Sequence, residues 1–105
     1  MGWQRACRLE ELPVAMTRPF TVADEPLLLC RTDEGEVYAI EDCCSHDDAP
    51  LAGGELDGRQ IVCPRHGARF DVTSGAVLKM PAPVAIAVFP VRLTDDGWIE
   101  VEVAT

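Results

Sequence analysis

The sequence predicts an all-β fold from which two irregular loops project, and three observations carry that prediction. Apolar, β-branched and aromatic residues gather in short runs separated by Gly, Asp and Pro. No window of about ten residues keeps a 3.6-residue hydrophobic period beyond the first turns of the chain. Two stretches rich in Cys, His, Gly, Pro, Asp and Ser, Asp42 to Gly54 and Cys63 to Gly75, follow neither the helical nor the strand period. The chain has 105 residues, 48% of them hydrophobic, which predicts one small domain over residues 1–105 with a core of its own.

Each element follows from its residues. Gly2 to Leu9 and Met16 to Val22 are predicted strands joined through Glu10 to Ala15. Leu27-Leu28-Leu29-Cys30 and Val37-Tyr38-Ala39-Ile40 flank Arg31 to Glu36, where Asp33-Glu34-Gly35 suits a hairpin turn with a left-handed glycine. A short strand, Gln60-Ile61-Val62, precedes the second irregular stretch. Ala85 to Leu93 and Trp98 to Val103 then surround the turn Thr94-Asp95-Asp96-Gly97. Trp98 to Val103 alternates with a period of two after its first residue. The sequence contains no internal repeat and no low-complexity tract. Function is therefore sought in the two loops, because loops on a rigid scaffold carry most binding chemistry.

Charge narrows the function classes. Eighteen acidic against nine basic residues give a formal net charge of -9. Nucleic acid is excluded as the main partner, since phosphate binding runs on clustered Lys and Arg. The longest apolar run, Pro81 to Val91, is interrupted by prolines and falls short of the roughly 18 residues that a membrane span needs. Met1 to Arg5 has no apolar stretch of signal-peptide type, so the expected location is the cytoplasm. Five cysteines, an odd number, predict thiols rather than a disulfide framework.

The two histidines of the chain each follow a cysteine within one of the loops. The first loop reads Cys43-Cys44-Ser45-His46 and the second Cys63-Pro64-Arg65-His66-Gly67, with sixteen residues between His46 and Cys63. At this cysteine frequency, both pairings arise by chance on the order of one time in 400, so a shared metal site is the better account. Two thiolates and two imidazoles suit zinc and an iron–sulfur centre equally by ligand type. Structural zinc sites commonly use Cys pairs on one knuckle with the histidines elsewhere. Here each loop supplies one Cys and one His, which fits a two-iron centre with both Cys on one iron and both His on the other. A Cys-x-x-His reading of the first loop, through Cys43, is also open.

Cys44-Ser45-His46, the sixteen-residue spacer and Cys63-Pro64-Arg65-His66-Gly67 resemble the two cluster-binding loops of Rieske proteins. The likeness extends to Asp42, Leu51, Gly54, Phe70 and Asp71, and to Pro81-Ala82-Pro83, which is similar to the proline loop over such clusters. It covers nearly the whole chain and implies a Rieske-like domain of antiparallel sheets. Carried over by position, it implies one [2Fe–2S] cluster, with Cys44 and Cys63 on one iron and His46 and His66 on the outer one. Cys43 is then a spare thiol, and Cys7 and Cys30 are small apolar core residues. Pro64 fixes the entry to the second loop, and Gly54 and Gly67 let the backbone come close.

The resemblance also implies a role. Two ferric ions, two sulfides and two thiolates sum to zero charge. Reduction of such a core is easier than with four thiolates, which places Rieske centres at about -150 to +300 mV. A terminal oxygenase needs a further iron held by two His and a carboxylate, and both histidines are committed to the cluster. The expected role is therefore an electron carrier, not an enzyme. It resembles the small Rieske ferredoxins that pass electrons from a flavin-dependent ferredoxin reductase to a terminal oxygenase, often one that dihydroxylates aromatic rings. A monomer is expected. The acidic surface suits steering toward basic docking faces, with Asp47, Asp48, Arg65 and Arg69 at the rim. Two rival readings are a Rieske-like small subunit of a nitrite-reductase-type assembly and a structural zinc module for protein contacts. High-potential Rieske proteins carry a disulfide between the loops and hydroxyl donors near the sulfurs. The matching positions here are Ala49 and Arg65, and Ala68 and Phe70. Fewer donors stabilise the reduced centre less, so a redox titration is expected to place the midpoint near the low end of the Rieske range; a strongly positive value would refute this.

Overall fold

The computed structural model describes residues 2–22, 24–44, 50–65, 67–79 and 84–103. Eleven strands run through them: β1 (Gly2–Arg8), β2 (Met16–Val22), β3 (Glu25–Arg31), β4 (Val37–Glu41), β5 (Leu56–Asp57), β6 (Gln60–Val62), β7 (Arg69–Asp71), β8 (Val77–Lys79), β9 (Val88–Phe89), β10 (Val91–Leu93) and β11 (Trp98–Val103). They form three antiparallel sheets, ordered β1-β11-β10, β2-β3-β4-β9 and β5-β6-β7-β8. The fold is all-β, as the short apolar runs predict. No helix of the described residues is long and apolar enough to cross a membrane.

The sheet β2-β3-β4-β9 is the wall shared by two cores. Side chains alternate across a strand, so Leu27 and Leu29 of β3 join Ala39, Val22, Cys7, Leu12, Ile99, Val101 and Val103 on one side. Leu28 and Cys30 join Ile40, Ile61, Phe70, Val72 and Leu51 on the other. All four β3 residues are fully buried, which explains why this strand reads as an unbroken apolar run. Burying its three leucines contributes roughly 1.5–3 kcal/mol each. β11 turns Ile99, Val101 and Val103 into the core, and Glu100 on its other face is also buried, paired with Arg5 and Arg92. Trp98 lies on its outer face beneath the Arg5 and Arg8 guanidiniums, 4.9 and 5.5 Å from the ring centroid.

The structure corrects the sequence reading in three places. Ala85 to Leu93 is not one strand. β9 pairs with β4 and β10 with β11, so the chain changes sheets at Pro90. Pro90 has no N–H to continue a ladder, and its carbonyl accepts the Glu102 N–H at 3.0 Å instead. The stretch Cys63 to Gly75 is irregular only in part, because it contains β7, an inner strand of the third sheet. β5, β7 and β8 are too short to show a period of two. The strand predicted to reach Leu9 ends at Arg8, with its register shifted between Arg5 and Cys7. Leu9–Glu11 is a 3-10 turn whose start is held by an Arg8 N–H to Glu11 Oε1 bond of 2.8 Å. The Asp33-Glu34-Gly35 turn has the predicted geometry, with Gly35 at φ 89°.

The third sheet is fastened to the wall at the end away from Cys63. Arg59, between β5 and β6, donates to both carboxylate oxygens of Glu36 at 2.9 and 2.8 Å. Gly75, after β7, donates to Asp71 O and accepts from Ile86 N–H at 2.9 Å. Its φ is 79°, and a Cβ there would run into the Ile86 carbonyl. Gly75→Ala therefore combines left-handed strain with a backbone clash. It is expected to cost about 2–4 kcal/mol in denaturant unfolding, and a loss under about 1 kcal/mol would contradict the packing described.

Candidate metal centre

Two loops bring Cys44 and Cys63 into one apolar cluster from opposite ends of one segment. The first leaves β4 at Asp42 and returns to β5. Asp42 Oδ1 accepts the backbone N–H groups of Leu51 at 2.7 Å and Ala52 at 2.8 Å, so the carboxylate joins the two ends of the loop. Leu51 is fully buried and anchors the returning arm. The second is the tip of the β6–β7 hairpin. Cys63 donates its N–H to Ala68 O at 2.8 Å, and Gly67 donates to Cys63 O at 3.0 Å. Gly67 sits at φ 75°, a conformation that explains glycine at this turn.

Gly54 ties the loops to each other. A Cβ at this position would overlap the Val62 carbonyl oxygen, which directly precedes Cys63. Its N–H donates to Leu51 O at 3.0 Å, and Val62 N–H donates to Glu55 O at 2.9 Å. Close backbone approach is thus the reason for glycine here, and it fixes the first loop against the strand that carries Cys63.

The cysteines fall into distinct environments, and none of the five is in a disulfide. Cys44 and Cys63 are 0% and 1% exposed in the same apolar cluster, with Leu51, Ala68 and Phe70. Cys30 belongs to that cluster too, but burial, with the negative charge of Asp42 adding to it, pushes its thiol up to about 12. Such a thiol stays protonated and is a poor ligand. Cys7 lies in the other core, where burial again raises its pKa. Both have the structural role expected of them. Cys43 is half-buried, its Sγ 3.8 Å from the Cys44 carbonyl.

His46 and His66 lie outside the described residues, as do Asp47, Asp48, Ala49 and Pro81-Ala82-Pro83. Among the described residues no three His, Cys, Asp or Glu side chains converge as a metal site. Pro64 and Arg65 are exposed at the tip of the second loop. Arg69, expected at the rim, is tied along the third sheet by bonds of 3.1 Å to Asp57 Oδ2 and 3.2 Å to Gln60 Oε1.

Residues 2–90 match the Rieske [2Fe-2S] domain family. The chain belongs to the Rieske family. It is 38% identical over 91 residues to the ferredoxin component of the naphthalene 1,2-dioxygenase system of Pseudomonas aeruginosa, covering 87% of this chain and 86% of that one. A chain in the complex of reduced oxygenase and oxidized ferredoxin in carbazole 1,9a-dioxygenase is 34% identical, with a TM-score of 0.84 over 94% of this chain and 91% of that one. A putative NADH-dependent nitrite reductase small subunit from Mycobacterium tuberculosis superposes with a TM-score of 0.88 over 99% and 97% at 26% identity. The two structures share the backbone almost equally, while sequence identity favours the dioxygenase type. This Rieske protein is a ferredoxin of the aromatic-ring dioxygenase systems.

The Rieske assignment fits what the two loops present. Two sulfur donors buried in an apolar cluster are costly as thiolates unless a cation neutralises them, and ferric iron with soft ligands meets that need. The sequence named Asp42, Leu51 and Gly54 only by resemblance; their work of closing and joining the loops is visible only in the hydrogen bonds. Gly54→Ala is expected to push the two backbones apart, lowering stability by about 1–3 kcal/mol and speeding alkylation of Cys63 in the metal-free protein, followed by mass spectrometry. Wild-type labelling kinetics would show that the close approach does not hold Cys63 in place.

Proposed function

We propose that this ferredoxin, as a single domain over residues 1–105, holds one [2Fe–2S] cluster through Cys44, Cys63, His46 and His66. The observation that carries this ligand set is the burial of Cys44 and Cys63 in one apolar cluster at the base of the two Cys–His loops. Cys44 and Cys63 would hold the inner iron, and His46 and His66 the outer one. The cluster, when bound, takes up and returns a single electron. The chain supplies the rest: thiols shielded from water, loops fixed in advance by Asp42 and Gly54, and an acidic surface that speeds encounter with basic docking faces.

The electron would come from a flavin-dependent ferredoxin reductase and go to a terminal oxygenase. The carbazole 1,9a-dioxygenase complex pairs such a ferredoxin with its oxygenase, which supports the second half of that route. Five cysteines outside any disulfide support work in the reducing cytoplasm, and the carrier would act there as a monomer. A structural zinc module would need no sulfide, and a nitrite-reductase subunit would not accept electrons on behalf of a ring dioxygenase.

Anaerobically purified protein is expected to contain two irons and two acid-labile sulfides per chain and to give a Rieske-type paramagnetic resonance signal when reduced. It should be reduced by a flavin reductase with NADH and reoxidised by a ring-hydroxylating oxygenase with its substrate. Cys44→Ser and Cys63→Ser should lose the visible chromophore, while Cys30→Ser and Cys43→Ser should keep it. Folded protein that is free of iron, or chromophore retained in Cys44→Ser, would overturn the proposal.

A further inference from the structure

We infer that Asp42 is a positioning residue for the first cluster-binding loop and that its negative charge holds the redox midpoint down. The inference rests on the reading that Cys44 and His46 are cluster ligands. Three hydrogen bonds converge on Asp42. Its Oδ1 accepts from Leu51 N–H at 2.7 Å and Ala52 N–H at 2.8 Å, and its own N–H donates to Pro26 O at 3.1 Å. The first two tie the residues that follow the first loop back to Asp42, two positions before Cys44. The third fastens Asp42 to the start of β3, in the wall between the two cores. The ordering entropy of the loop is thereby met by the protein fold rather than by the metal.

The charge acts on the same group. Asp42 is two residues from Cys44, and two residues of chain span at most about 7 Å. That is within the Debye length at physiological salt, so screening leaves much of the interaction in place. Its field already reaches into the apolar cluster that holds both site cysteines, because it is one of the causes that raise the Cys30 thiol. Reduction adds one electron to a buried centre, and a fixed carboxylate nearby opposes it. A neutral acceptor of the same shape would keep the loop closed and lift that opposition, so geometry and charge can be separated by substitution.

The test compares wild type, Asp42→Asn and Asp42→Ala as anaerobically purified holoproteins. Asp42→Asn keeps an acceptor for the Leu51 and Ala52 amides. It is expected to retain wild-type iron, sulfide and visible circular dichroism, with the reduced-to-oxidised ratio at a fixed poise about threefold or more higher. Asp42→Ala strands both amides and is expected to release iron to a chelator about tenfold faster. An unchanged midpoint in Asp42→Asn overturns the role of the charge. Wild-type iron release in Asp42→Ala overturns the positioning role. Should Asp42→Ala not fold, Asp42→Asn decides both, since loss of its cluster would show that a neutral acceptor does not restore the loop. Wild-type protein lacking iron and sulfide overturns the ligand assignment itself, a result distinct from either failure.

Discussion

Burial of one sheet on both faces is the constraint on which the rest of this structure depends. β3 places Leu27 and Leu29 in one core and Leu28 and Cys30 in the other. Neither outer sheet has a core without this wall. Three fully buried leucines contribute roughly 5–9 kcal/mol together, the same order as the net stability of a whole small domain. The sheet that carries the metal loops is thus pressed onto a wall whose position is already fixed from behind.

The ends of the loops are held by bonds that a short irregular segment cannot make alone. Asp42 joins the two ends of the first loop, Gly54 lets that loop lie against Val62, and the Cys63–Ala68 bond closes the second. At the opposite end, Arg59 and Glu36 form a bidentate pair, which gives direction as well as attraction. The sheet is held at both ends, with its apolar face between.

Environment rather than identity separates the five cysteines. Cys30 and the site pair share one apolar cluster, yet Cys30 points from a strand that is closed on both sides and stays protonated. Cys44 and Cys63 stand just past the ends of strands, where irregular backbone begins.

The Cys–His loops, the hairpin at Gly35 and the longer strands were legible in the order of residues, because metal ligands and turn residues act through local spacing. Even the doubly buried strand was visible as Leu27 to Cys30, although not which core each side chain would enter. Ala85 to Leu93 read as one strand through Pro90, because the transfer from β4 to β11 depends on two partners far away in the chain. The strands β5, β7 and β8 had too few residues to show a period, and only their mutual pairing makes them a sheet. The bonds of Asp42 and the tight fit of Gly54 against Val62 likewise belong to tertiary structure alone. Local chemistry decided which family the chain resembles and what class of fold it takes; the burial of Cys44 and Cys63 in one cluster was decided by contacts between segments that the chain brings together only on folding.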